Sequence, residues 1–171
     1  DAFTYAADNG IKLIIKVVKL ILYNDKDLVQ LYFRKDRDIL IIGSRTWDGP
    51  YKTCGFPTIV PYTTSNEILG KLIVDHFSRV DSFTSKDENA NFFKELKGMS
   101  SWRKFAQAVG LICVWKTHHE YEMIYNVRNS DNSFSPDGKH CSHLSICSSE
   151  ELIGAKAKEL MGLQQEDTKS M

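Results

Sequence analysis

Apolar and polar positions divide the chain into two similar runs of strands, each closed by an amphipathic helix. Leu28 to Phe33 and Ile39 to Ile42 are apolar runs separated by the charged stretch Arg34-Lys35-Asp36-Arg37-Asp38, which predicts a hairpin. Thr58 to Tyr62 predicts a strand leading into a helix from Ser65 to about Val80, where Ile68, Leu69, Leu72, Ile73, Phe77 and Val80 recur at the spacing of one buried face. Val80 to Asn89 is polar and reads as a loop, and Phe92, Phe93, Leu96, Trp102 and Phe105 predict two short helical pieces around Gly98, with Ser100 or Ser101 as a cap. Val109 to Trp115 and Tyr121 to Val127 flank Lys116-Thr117-His118-His119-Glu120 and predict a second hairpin. Arg128 to Lys139 is rich in Asn, Ser, Asp, Pro and Gly and reads as an exposed loop, His143 to Ile146 as a strand, and a second helix runs to about Leu163. Upstream, Ile11 to Tyr23 is read as a buried strand for its β-branched residues, although Lys12, Lys16 and Lys19 would also form a stripe on a helix.

Both helix starts are spelled the same way. Thr64-Ser65-Asn66-Glu67-Ile68-Leu69-Gly70 recurs as Ser148-Ser149-Glu150-Glu151-Leu152-Ile153-Gly154. Each copy reads as a capping box, a hydroxyl on the orphan N–H groups and a Glu three residues later reaching back to the cap. Gly70 inside a helix costs about 1 kcal/mol relative to alanine, so close packing of that helix on a sheet is the expected compensation. The fold expected is α+β, a largely antiparallel sheet packed with two main helices in a pseudo-repeated strands-then-helix arrangement, plus short helices.

Composition narrows the function without naming it. A length of 171 residues suits one domain, expected to span 1–171 with 1–10 and 164–171 poorly ordered. Lys and Arg number 22 and so do Asp and Glu, so no bulk charge drives binding to nucleic acid or to an anionic membrane. No apolar run approaches the roughly 20 residues of a membrane span, and no secretory leader is recognised. Cys54, Cys113, Cys141 and Cys147 are widely spaced with no Cys-x-x-Cys, the pattern of reduced thiols in a cytoplasmic protein.

Reactive constellations are weak. Cys141, His143 and Cys147 share one face of a strand, with His140 adjacent, but lack the tight pairs of a zinc site, and His118-His119 at a hairpin tip reads as a solvated turn. There is no Gly-x-Ser-x-Gly elbow and no Gly-rich phosphate loop before a helix. Asp36 and Asp38, Asp87 and Glu88, and Glu150 and Glu151 fall in turns or at a helix start, where solvation or capping is their usual role. Neither an enzyme nor a cofactor or metal site is expected. Trp47, Tyr51 and Phe56 with Arg45 and Lys52 could stack on single-stranded nucleic acid, a reading favoured also by two strand-then-helix halves, which loosely resemble the Whirly architecture. The competing reading has Trp47 and Phe56 plugging the end of the sheet while the charges face water.

The chain resembles the contact-dependent growth inhibition immunity proteins of Gram-negative bacteria, specifically a group long described only as a domain of unknown function. The resemblance rests on Phe92-Phe93-Lys94-Glu95-Leu96-Lys97-Gly98-Met99-Ser100-Ser101-Trp102-Arg103-Lys104-Phe105, on the Val109 to Val127 hairpin, and on Leu144 to Leu160 with its Ser-Glu-Glu-Leu-Ile-Gly helix start. It implies a small cytoplasmic protein that binds the toxic C-terminal domain of a delivered effector, in many systems a nuclease, and blocks it without catalytic residues of its own. The residues proposed for contact with such a toxin come from the sequence: Trp47, Asp48 and Tyr51 in the Gly-rich segment and Asp87 and Glu88 after the first helix, as aromatic anchors and carboxylates outside the core stripes.

Overall fold

The computed structural model describes residues 27–46 and 50–163. Three strands, β1 (Asp27–Arg34), β2 (Asp38–Arg45) and β3 (Lys52–Pro61), lead into helix α1 (Asn66–Val80). Two 3₁₀ turns (Ser85–Asp87 and Phe92–Glu95) and a short helix α2 (Trp102–Ala108) follow, then β4 (Gly110–Lys116), β5 (Glu120–Arg128), β6 (Phe134–Ser145) and helix α3 (Glu150–Gly162). The six strands form one antiparallel sheet in the order β3-β2-β1-β4-β5-β6. Each half is thus a three-stranded meander ending in a helix, and the halves join back to back through β1 and β4, as the repeated pattern predicts. The expected strand at Ile11 to Tyr23 lies outside the described residues.

Successive side chains of a strand point to opposite faces, so a strand covered on both sides reads as a continuous apolar run. That is why β1 and β2 carry Leu28, Val29, Leu31, Tyr32 and Phe33, and Ile39 to Ile42, almost all of them inaccessible to water. On one face Leu31, Phe33, Ile39, Ile41, Ile112 and Met123 pack with Leu69, Ile73 and Phe77 of α1 and Ile153, Ala157 and Met161 of α3. On the other, Leu28, Tyr32, Leu40, Ile42 and Leu111 lie under Phe92, Phe93, Leu96 and Phe105. Tyr32 is the hub of that second layer, its ring centroid 5.0 Å from Phe105 and 5.3 Å from Phe92. Ser101 caps α2 by accepting from the Lys104 N–H, one of the two residues expected there.

Helices α1 and α3 meet through their glycines. A Cβ on Gly70 would lie 1.7 Å from the carbonyl oxygen of Glu150, and one on Gly154 would lie 1.8 Å from that of Asn66. The two contacts are reciprocal, since each glycine lies on the first helical residue of the other helix. Close packing is indeed what Gly70 serves, but the surface it meets is the second helix rather than the sheet.

The caps are shifted by one residue from the expected frame. Ser65 accepts from the Ile68 N–H at 3.3 Å and Ser149 from the Leu152 N–H at 3.2 Å, so the third helical residues are Ile68 and Leu152 rather than Glu67 and Glu151. The Glu side chains therefore complement the positive end of each helix dipole without closing a capping box. Ile68, expected in the buried stripe, is 55% exposed; the buried face of α1 is Leu69, Gly70, Ile73, His76, Phe77 and Val80. The loop expected over Arg128 to Lys139 is also shorter, because Phe134 to Lys139 belongs to β6. Asn126 pairs with Pro136 and Ile124 with Cys141, so Tyr125 alone faces Asp137, Gly138, Lys139 and His140, a bulge within an edge strand with Gly138 at φ +74°.

Candidate functional site

Three of the five proposed contact residues are described, and the structure divides them. Trp47 and Asp48 lie outside the described residues. Tyr51 turns its ring edge-on to Trp115 at 4.9 Å, and its hydroxyl pKa is raised by burial, with Asp27 adding to the effect. Asp87 and Glu88 sit instead along the outer edge of β3. There Cys54 bridges to Glu88, the Thr53 carbonyl accepts from the Asn89 N–H at 2.9 Å, and the Thr53 hydroxyl donates to the Asn89 carbonyl at 2.9 Å. The carboxylates and Lys52 form one surface, Lys52 Nζ lying 3.2 Å from Glu88 Oε2, while the Tyr51 ring belongs to the neighbouring sheet face.

Local chemistry explains why this strip is ordered. The Asp87 carboxylate accepts from the Thr84 N–H at 2.6 Å and from its hydroxyl at 2.8 Å, which holds its pKa below the usual carboxylate range and supplies one arm of a capping box for the first 3₁₀ turn. Cys54 is buried beneath the strip. Burial pushes its thiol up to about 11, and the nearby Asp87 and Glu88 carboxylates push the same way. Cys113 is pushed up to about 12 by burial, so both are protonated at neutral pH and poor nucleophiles. Cys141 and Cys147 are exposed free thiols.

Arg45 fixes the strip to the fold. From the end of β2 its Nη1 donates to the carbonyls of Val80 at 3.1 Å and Asp81 at 2.9 Å at the C-terminus of α1, the first of which also accepts from the Phe83 N–H. Neither base of the stacking hypothesis is thus free of protein partners, Arg45 being held by carbonyls and Lys52 by Glu88. Arg45→Ala is expected to destabilise the protein by about 2 kcal/mol, the scale of charge-assisted hydrogen bonds, and to speed amide hydrogen exchange in 81–89 above that of the β1–β4 core. Uniform exchange changes across the sheet would contradict a local clamp.

Phe56 does not plug the sheet end: it is 81% exposed. His76, absent from the sequence-predicted site residues, is buried on α1 with its Nε2 2.9 Å from Thr58 Oγ1 of β3. Its signal was legible as a polar residue on the 69–73–76–77–80 stripe. Among the described residues, no group of three or more His, Cys, Asp or Glu side chains could hold a metal ion, and no helix is long and apolar enough to cross a membrane.

No family model and no curated protein matches the chain. Solved structures do. The Protein of Unknown Function NMB0488 from Neisseria meningitidis superposes with a TM-score of 0.67 at 17% identity, over 82% of this chain and 96% of that one. A chain of the CdiA-CT/CdiI toxin and immunity complex from Yersinia pseudotuberculosis superposes with a TM-score of 0.64 at 14% identity, over 80% of this chain and 96% of that one. At these identities the likeness is one of fold, and that fold is found in a toxin and immunity complex.

Proposed function

We propose that this chain is an immunity protein that binds the C-terminal toxin domain of a contact-delivered effector and neutralises it. The observation that carries the reading is the shared fold with a chain of the CdiA-CT/CdiI complex, extending over 80% of this chain and 96% of that one. In this reading the protein acts in the cytoplasm, by occupancy rather than catalysis. Its buried thiols are protonated and His76 is enclosed, while the carboxylates of Asp87 and Glu88 are presented on an ordered strip. The toxin is a nuclease whose basic cleft these carboxylates enter in place of substrate phosphates, closing its active site.

Co-expression with the toxin domain encoded beside this chain's gene tests the proposal. Cells carrying both are expected to grow, and the purified proteins to form a stoichiometric complex; failure of both would remove the assignment. Alanine substitution of Trp47, Asp48, Tyr51, Asp87 and Glu88 is expected to weaken that complex by about 1 kcal/mol or more for at least one residue. Because an exposed ion pair such as Lys52–Glu88 adds ~0–1 kcal/mol to stability, a loss of binding at Glu88→Ala with little change in melting temperature would mark a contact rather than a folding defect. Five unchanged affinities would place the contact surface elsewhere.

A further inference from the structure

The most exposed large apolar side chain among the described residues, Phe56, stands on β3 at the edge of the sheet. Ile41 pairs with Thr58 and Gly43 with Cys54, so Ile42 alone faces Gly55, Phe56 and Pro57. The surplus residues make a bulge with Phe56 at its crest. Gly55 permits the bulge with φ +71°, and Phe83 packs against it so closely that a Cβ there would meet that ring at 3.1 Å. Asn89 Nδ2 donates to the Gly55 carbonyl at 2.8 Å, and Pro57 fixes its own φ on the other side. An aromatic ring is thus held in water on a preorganised support, so ordering it on binding costs little, which is the property of an interface anchor.

We infer that Phe56 is an anchor for the cognate toxin domain, inserting into an apolar pocket whose rim is basic; this rests on the immunity reading above. The sign of the rim follows from Asp81 to Glu88, which packs beside β3 through the Cys54–Glu88 bridge and the Phe83–Gly55 contact: it carries three carboxylates and one lysine, and although Lys52 pairs with Glu88, Asp87 is held by Thr84 rather than by a cation, so the strip keeps a net acidic charge. A second copy of this chain is the poorer occupant. Residues 88–89 already cover the first half of the β3 edge, and Pro57 and Pro61 interrupt the donors that edge-to-edge pairing needs.

The test uses the full chain and the purified C-terminal toxin domain of the effector encoded beside it. Phe56→Ala is expected to raise Kd about 30-fold, chiefly through a faster off-rate, with an unchanged melting temperature, while Phe56→Trp retains most of the affinity. A wild-type protein that binds this toxin, together with a Phe56→Ala variant of equal affinity, overturns the anchor and leaves the immunity reading standing. A wild-type protein that binds no toxin overturns both. Self-association, or salt-sensitive oligonucleotide binding, that Phe56→Ala abolishes while toxin affinity is unchanged would overturn the assignment of the occupant.

Discussion

Gly154→Ala is expected to destabilise the protein by ~3 kcal/mol or more, at or beyond the upper end of ordinary overpacking, seen as a large fall in the urea midpoint. A methyl group there would sit 1.8 Å from the Asn66 carbonyl oxygen, with backbone rather than a flexible side chain in its way. Relief requires α1 and α3 to separate along their whole crossing, which opens the apolar contacts of Leu69, Ile153 and Ala157 beneath it. The sign is diagnostic, because helix propensity alone would make the same substitution stabilising by about 1 kcal/mol. Gly70→Ala is expected to behave alike, its methyl meeting the Glu150 carbonyl oxygen at 1.7 Å. Since one displacement of the helices relieves both clashes, the double variant should cost clearly less than the sum of the singles. A stabilised single variant would refute the crossing geometry.

Acidification is expected to cost about 3 kcal/mol through His76 as pH falls from about 6.5 to about 4, one pKa unit being worth about 1.4 kcal/mol. Burial lowers its pKa from the ordinary 6.5 to about 4, and the Arg79 guanidinium acts in the same direction against a smaller opposing pull from Asp75. From β3 it faces the neutral Thr58 hydroxyl. The depressed value means that the unfolded chain accepts a proton which the folded chain refuses. The stability is complete above the unfolded pKa, is lost as pH falls towards the folded pKa, and changes no further below it. Urea midpoints across this range, compared with those of His76→Gln, isolate the effect. Equal slopes in the two proteins would show that His76 does not carry it.

Much of this architecture is legible in the sequence because its determinants are local. The charged run between Leu28–Phe33 and Ile39–Ile42, the apolar spacing from Leu69 to Val80 and the duplicated helix starts each state a period or a turn directly. The capping frame is misread for a physical reason: two successive hydroxyl residues open each helix, and either could cap. What accompanies the observed frame is tertiary, namely the Asn66 and Glu150 carbonyls lying on Gly154 and Gly70. Pro136-Asp137-Gly138 has the chemistry of a turn, yet Pro136 is paired in β6 and Asp137-Gly138 opens a bulge, a difference seen only once β5 is beside it.

The candidate surface is less legible than the fold. Asp87 and Glu88 can be singled out as carboxylates off the core stripes, yet their placement against Thr53 and Cys54 depends on a chain reversal that no local pattern encodes. Phe56 shows the converse. An isolated aromatic between Gly55 and Pro57 has the composition of a core plug, and only the register slip at Ile41/Gly43 turns it outward.

The seam between β1 and β4 bears on how the molecule folds. Its register joins Asp27 to Lys116 and Phe33 to Gly110, so the segment closed by that pairing contains two strands, one long helix, both 3₁₀ turns and α2. Every other strand pair in the sheet is a neighbour along the chain, formed at small loop-closure cost. The seam and the glycine crossing above it are the steps that carry the long-range entropy, and non-local pairing of this kind sets slow folding rates. Two quickly formed half-sheets would then wait on a single docking event, leaving the inner edges of β1 and β4 open until it occurs.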